Sequence, residues 1–336
     1  MRVLVTGASG FIGGAVARVL LAKGARVRAL LRPGTTPNVP GPTAVEPVSG
    51  DLRDAQSVRT AAEGCTAIFH VGGLYSFFAD AAELAAINVG GTRNVLDAAR
   101  HVGARVVHTS SISTIGGMRG GVVPDERQEA TGVAPGPYKE SKWEAEKLVR
   151  AEVARGLDAV IVNPTFPVGW GDVKPTPTGA VIRDFLLGRM PAYLDTGMNV
   201  VDIDDVAEGH WLAFERGQRG ERYILGNANL MMRELLAELA HISGRKAPRL
   251  RLPYAVALGL AHADALVSGR GVGRGRARVP LEGVRTAQEV RFASSARAVR
   301  ELGLPQTSVR TALEKAVRWF QQSAASQERS SLHDRA

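Results

Sequence analysis

The stretch Arg2-Val3-Leu4-Val5-Thr6-Gly7-Ala8-Ser9-Gly10-Phe11-Ile12-Gly13 decides how the rest of the chain is read. Arg2 to Val5 read as a buried strand that runs into three glycines spaced Gly7-x-x-Gly10-x-x-Gly13. Beyond them Phe11, Ile12, Val16, Val19 and Leu20 recur at helical spacing as far as Lys23-Gly24, and Ala25 to Leu31 read as a second strand. Glycines permit a tight turn and close approach of the backbone. The free N–H groups and positive end of the following helix can then face a pyrophosphate. Three glycines alone would be an ordinary turn, but strand, glycine loop, helix and strand in that order predict a dinucleotide-binding βαβ unit in which Gly7, Ser9, Gly10, Phe11, Ile12 and Gly13 line the cofactor.

Working outward, the end of the second strand should meet the adenosine ribose, where a carboxylate would accept from a 2′-hydroxyl and repel a 2′-phosphate. The chain has Leu31-Arg32-Pro33-Gly34 there, so Arg32 favours NADP over NAD, unless it is a plain solvated arginine. A proline-rich loop follows, and Gly50-Asp51-Leu52 closes a short third strand. Asp51, beside Leu52, could reach the adenine or could cap the helix that runs through Ala62. Ala67 to Val71 read as a fourth strand, apolar as a doubly covered strand must be. It ends in Val71-Gly72-Gly73, small enough for a cofactor to lie close. His70 in that strand reads as a hydrogen-bonded core residue rather than a base. Ala81 to Arg100 form a long helix on whose inner side Asn88 either distorts the helix or holds water on a proton path.

Val106 to Ser111 read as the fifth strand, ending in three hydroxyls, Thr109-Ser110-Ser111. Tyr138 and Lys142 then lie four apart on one face of a helix. A phenol with a pKa of about 10 is a poor base at neutral pH, and a neighbouring ammonium favours its phenolate. That pairing suits proton exchange with a carbonyl or carbinol oxygen, with Ser111 as a further donor.

Taken together, Gly7-x-x-Gly10-x-x-Gly13, Thr109-Ser110-Ser111 and Tyr138-x-x-x-Lys142 resemble the extended short-chain dehydrogenase/reductase family over about residues 1–250. The resemblance implies that Ser111 and Tyr138 bind the substrate oxygen and that Lys142 also holds the nicotinamide ribose. It further implies that Pro164 and Thr165, after a sixth strand from Val160, flank the nicotinamide. Asp172, Asp184-Phe185, Met190-Pro191, Asp202 to Ala207, Tyr223 to Gly226 and Trp319-Phe320 are similar to one subgroup, the hopanoid-associated sugar epimerases, relatives of the dihydroflavonol 4-reductases. Two departures are Gly72-Gly73 where two alanines are expected, and the arginines of residues 270–279. The expected fold is a doubly wound parallel α/β sheet with a smaller C-terminal lobe: a dinucleotide-binding core over 1–165, mostly substrate lobe over 166–322 with segments returning to the sheet, and a tail without structure over 323–336.

The expected activity is reversible hydride transfer at a carbonyl or carbinol carbon of a sugar- or polyol-bearing lipid. One alternative is a sugar epimerase with retained NAD. The other is an NADP-sensing regulator without turnover, against which the retained Tyr138 and Lys142 speak. A nucleotide-sugar dehydratase would need an acid pair after the serine, and Ile112-Ser113-Thr114 has none. The 336 residues, 45% hydrophobic and 22% charged, have ordinary globular composition, and the lone Cys65 argues against both an internal disulfide and a metal site. A net charge of +9 without aromatics interleaved among the basic residues does not read as nucleic-acid binding. The excess is local. Nine basic residues fall between Arg245 and Arg285 (Arg245, Lys246, Arg249, Arg251, Arg270, Arg274, Arg276, Arg278 and Arg285) against Asp264 and Glu282.

No run of eighteen apolar residues occurs, and a strand begins at once without a signal-like segment, so a cytoplasmic location is expected. The apolar Tyr254–Val267 segment is too short to span a bilayer. It reads either as a helix of the substrate lobe or, within 253–285, as a peripheral contact with the inner face of the membrane. Pairing into a homodimer is left open.

Overall fold

The computed structural model describes residues 1–39, 45–76, 79–118, 120–130, 136–267 and 281–333. In chain order the first half runs β1 (Arg2–Thr6), α1 (Phe11–Ala22), β2 (Arg26–Leu31), β3 (Glu46–Ser49), α2 (Ala55–Ala62), β4 (Ala67–His70), α3 (Ala81–Leu84), a π turn (Ala85–Gly90), α4 (Gly91–Val102), β5 (Arg105–Thr109), a 3-10 turn (Ile112–Thr114), α5 (Pro137–Ala154) and β6 (Ala159–Pro164). The second half runs β7 (Phe166–Val168), α6 (Pro177–Leu186), β8 (Ala192–Tyr193), β9 (Gly197–Asp202), α7 (Ile203–Arg216), β10 (Arg222–Leu225), β11 (Ala228–Met231), α8 (Met232–Ser243), β12 (Leu250–Arg251), α9 (Tyr254–Val267), α10 (Leu281–Ala287), α11 (Ala296–Leu302) and α12 (Val309–His333).

Seven strands form one parallel sheet in the order β10-β6-β5-β4-β1-β2-β3. The strand order reverses at β1. A crevice therefore opens beyond the carboxyl ends of β1 and β4, where ligands bind in sheets of this kind. Alternation along β1 sends Val3 and Val5 to one face, packed with Val16 and Leu20 of α1 and Val206 of α7. Leu4 goes to the other face, with Val58 of α2, Leu96 of α4 and Val149 of α5. This is a doubly wound α/β fold covered on both faces.

The C-terminal lobe is built on β11-β9-β7, with β8 and β12 as a separate pair. Ile182 and Phe185 of α6, Leu235 and Leu239 of α8, and Leu313 and Phe320 of α12 close its core. The lobe is tied to the sheet, because β10 extends the sheet edge and α7 covers its face. Among the described residues no helix is long and apolar enough to cross a membrane.

Three local expectations are corrected. Asp54, not Asp51, caps α2 by accepting from the Gln56 amide at 3.0 Å, while Asp51 accepts from the Arg53 amide and guanidinium. The long helix after Ala81 is interrupted by the π turn that contains Asn88. The expected tail does not begin at Ser323, because α12 continues to His333; with no proline or glycine from Val309 onward, nothing in the sequence stops the helix. Residues 334–336 lie outside the described residues.

The lobe and core are also joined by charge. Lys315 of α12 donates to Asp202 and Asp204 at 2.7 Å each, and the Asp202 carboxylate is fully buried at the start of α7. Lys315→Met should strand that carboxylate. Removing one partner of a buried pair is strongly destabilising, and with Lys315 itself partly in water we expect a loss of about 2 kcal/mol in denaturant unfolding. Unchanged stability would mean that the pair does not couple lobe to core.

Candidate active site

The glycine loop is shaped by backbone contact. Gly7 sits at φ +75°, and a Cβ there would lie 2.7 Å from the Gly72 Cα; a Cβ on Gly13 would lie 2.1 Å from the Gly7 carbonyl oxygen. Neither position accepts a side chain. Gly10 starts α1 without a side-chain cap, and no acid occupies the first turn. The first amides of α1 therefore remain donors at the positive end of the helix, beside exposed Ser9 and Gly10. This cradle fits the pyrophosphate of a dinucleotide. Asn38, a residue that the sequence did not single out, pins it by donating its amide to the Ala8 carbonyl at 2.8 Å and its side chain to Gly171 at 2.7 Å.

Across the crevice, His70 links cofactor loop and helix. The Thr92 hydroxyl donates to the Asn88 carbonyl at 2.6 Å, so His70 Nε2 must donate to Thr92 (3.0 Å) and Nδ1 must accept from Thr6 (2.8 Å). Thr6 in turn accepts from the Gly72 amide at 2.9 Å. Burial, then the charge of Lys142, pushes His70 down to about 3, so it is a neutral connector. Asn88 accepts from the Leu74 amide at 2.7 Å and donates to the Leu74 carbonyl and to the Ser141 hydroxyl. Its place in the π turn fits the reading of Asn88 as a helix-distorting structural residue.

The three hydroxyls after β5 separate by direction. Thr109 bonds His210 at 2.9 Å, Ser110 donates to Glu146 at 2.5 Å, and Ser111 caps the 3-10 turn by accepting from the Ser113 amide at 3.1 Å. With that lone pair used, the Ser111 hydroxyl proton is free, and Ser111 lies near enough to the Tyr138 oxygen to lower its pKa. Phe11, Ile12, Ser111, Tyr138, Pro164 and Thr165, all singled out from sequence, line one cavity. Tyr75 stacks on Tyr138 at 4.6 Å between ring centres.

Burial pushes the Tyr138 phenol up to about 12, and Ser111 only partly offsets this. Lys142 donates to the Thr109 carbonyl at 2.6 Å and is itself pushed down to about 8 by burial, against the opposing pull of Glu146. With desolvation the larger effect on the phenol, Tyr138 stands as a neutral acid.

Glu146, one turn beyond Lys142, was not anticipated. It is buried and accepts from Ser110, Thr114 (2.7 Å), Asn163 (3.1 Å), Arg150 (2.9 Å) and Arg222 (3.2 Å). Further residues complete the cavity. Apolar Ile112, Phe166 and Pro167 form its walls, and Lys139, Arg291 and Glu282, which the sequence did not flag as site residues, one polar end. Lys139 and Arg291 both donate to Glu289.

At the far end of the crevice, Leu52 packs against Gly72 and Gly91, and Val71 is half-buried. Exposed Gly73 would place a Cβ 3.1 Å from Asn88 Oδ1. Asp51 is pushed down to about 2, first by its bond to Arg53 and also by the nearby charge of Arg32. Arg32 is exposed and forms no ion pair among the described residues.

Three comparisons bear on this geometry. The profile of the NAD dependent epimerase/dehydratase family matches residues 3–226. A Synechocystis sp. protein named after dihydroflavonol 4-reductase is 41% identical over 324 residues, covering 94% of each chain. Sterol demethylase protein B of Methylococcus capsulatus is 37% identical over 325 residues, covering 96% of this chain and 99% of its own. The crystal structure of gox2253 superposes with a TM-score of 0.82 at 39% identity, covering 96% of this chain and 98% of that one. With the glycine cradle, the serine and the tyrosine–lysine helix all set around one crevice, the chain belongs to the NAD-dependent epimerase/dehydratase family, the extended branch of the short-chain dehydrogenases/reductases.

Proposed function

We propose that the chain is a carbonyl reductase, working reversibly as an alcohol dehydrogenase, that uses NADP in preference to NAD. Its substrate would be a sugar- or polyol-bearing lipid of the hopanoid class. The observation that carries this reading is the pairing of Ser111 with a neutral, half-buried Tyr138 in an apolar-walled cavity. Ser111 holds the substrate oxygen and Tyr138 passes it the phenolic proton. The nicotinamide, when bound, supplies the hydride. Lys142, one helical turn on, offsets the phenolate left behind. The likeness to sterol demethylase protein B supports a polycyclic lipid as substrate.

Arg32 in place of an acid supports a free, exchangeable NADP rather than the retained NAD of an epimerase. Cofactor content of the purified protein separates the two: tightly held NAD would favour the epimerase. An NADP-binding protein that turns over no carbonyl compound would be a sensor.

Tyr138→Phe should lower kcat by about a hundredfold to ten-thousandfold while NADP affinity stays nearly the same, because only the proton-carrying oxygen is lost. A variant that keeps most of its rate would remove Tyr138 from the chemistry. Arg32→Asp should move preference from NADP toward NAD by about 1.5 to 3 kcal/mol, roughly ten- to a hundredfold in the ratio of dissociation constants. A wild type that binds both cofactors equally would refute the reading of Arg32.

The pH profile gives a third check. Reduction needs the Lys142 ammonium, which is held below its ordinary range, so kcat/KM should be steady on the acid side and fall as pH rises through about 8. The Glu146 carboxylate raises Lys142, so Glu146→Gln should move the fall to lower pH. If the limb does not move, the controlling ionisation belongs to another group.

A further inference from the structure

Helix α9 is packed the wrong way round for a surface helix. Ala257 (3% exposed) and Ala261 (0%) face inward against Val284 of α10, with Tyr254 and Leu258 partly buried beside them. The opposite side turns large apolar residues to solvent, with Val256 48% and Leu260 53% exposed. Ala255, Gly259 and Ala263 are exposed beside them, and His262 and Asp264 are the acidic or basic residues among the fourteen. A helix on a globular surface normally turns a charged or polar face to water. Leu250 on β12, four residues before the start of α9, is 61% exposed and extends the apolar surface.

The surroundings identify what covers this face. Arg245, Lys246 and Arg249 lie exposed on the segment leading to the helix and form no ion pair among the described residues. Arg251 is held by Asp195 at 3.1 Å. From Arg245 to Arg278 the sequence has eight basic residues (these four with Arg270, Arg274, Arg276 and Arg278) against the single acid Asp264. The last four arginines lie outside the described residues. An apolar ridge beside unpaired cations complements a surface that offers both anionic groups and hydrocarbon. The partner helix α10 supplies Glu282 and Thr286 to the wall of the active-site cavity. The outer layer of the hairpin is thus the apolar ridge, and its inner layer is part of the substrate site.

We infer that α9 and the basic segment before it dock the protein on anionic phospholipid membranes, so that the catalytic cavity lies behind the docked hairpin. The purpose of the contact rests on the proposed lipid substrate, but vesicle binding and turnover are read separately.

The test is co-sedimentation of the full chain with vesicles of phosphatidylcholine alone and of phosphatidylcholine mixed with phosphatidylglycerol. Binding to the mixed vesicles, weakened by high salt, is expected. Val256→Ser with Leu260→Ser should weaken it on the order of tenfold or more, and Arg245→Gln with Lys246→Gln and Arg249→Gln should remove the preference for anionic lipid. These side chains lie outside the cavity, so both variants should keep the wild-type circular dichroism and its turnover of a water-soluble ketone. Equal binding to both vesicles, or no loss in either variant, overturns the proposal. So does a protein that ignores vesicles but forms a dimer which the Val256/Leu260 variant splits, because a second copy would then cover the ridge. Vesicle binding without any carbonyl turnover would leave the docking surface standing and overturn only the proposed function.

Discussion

The buried carboxylate of Glu146 is the constraint on which the site depends. It lies on α5 one turn beyond Lys142 and collects hydrogen bonds from residues on five separate stretches: Ser110 after β5, Thr114 in the 3-10 turn, Asn163 on β6, Arg150 on α5 and Arg222 on β10. Burial alone would raise its pKa, but these hydrogen bonds and the charge of Arg222 outweigh burial and hold the group below the usual carboxylate range. A fully satisfied buried charge is costly to disturb at any one partner. The same network fixes the Ser111 turn, since the Asn163 amide also donates to the Ser111 carbonyl at 3.1 Å. The serine and the tyrosine–lysine helix are therefore set against each other by one ion.

A second network does for the cofactor side what Glu146 does for the substrate side. Thr6, His70, Thr92 and Asn88 form an unbroken chain of hydrogen bonds from the glycine loop to Ser141, whose hydroxyl donates to the Tyr138 carbonyl at 2.8 Å. The π turn around Asn88 makes this possible. An extra residue in the helical turn presents the Asn88 side chain to Leu74 and Ser141 at once. The cavity between the two networks is walled by Phe166 and Pro167 at the start of the lobe and by α10 further along it, so the turn after β5 and helix α5 of the core provide the chemistry while the lobe shapes what enters.

Local pattern was enough for much of this. The glycine spacing, the apolar strands of the doubly covered sheet, and Tyr138 with Lys142 at helical spacing are all periodic signals within a dozen residues, and the sequence by itself determined the fold class and the family through them. What it left open depended on partners distant in the chain. In Trp143-Glu144-Ala145-Glu146-Lys147, Glu144 and Glu146 look alike, yet Glu144 pairs with Lys147 in solvent while Glu146 is buried because Arg222, 76 residues on, comes to meet it. Asp51 was read as an adenine contact or a helix cap, and the helix begins only at Ala55, so that Asp54 takes the cap. Arg291 and Lys139 entered the cavity wall only when the lobe folded back over α5. The outward face of α9 was likewise undecided by composition, because a helix apolar on every side carries no periodicity to say which side is inside. Only its packing on Val284 chose the alanines and left Val256 and Leu260 to the surface.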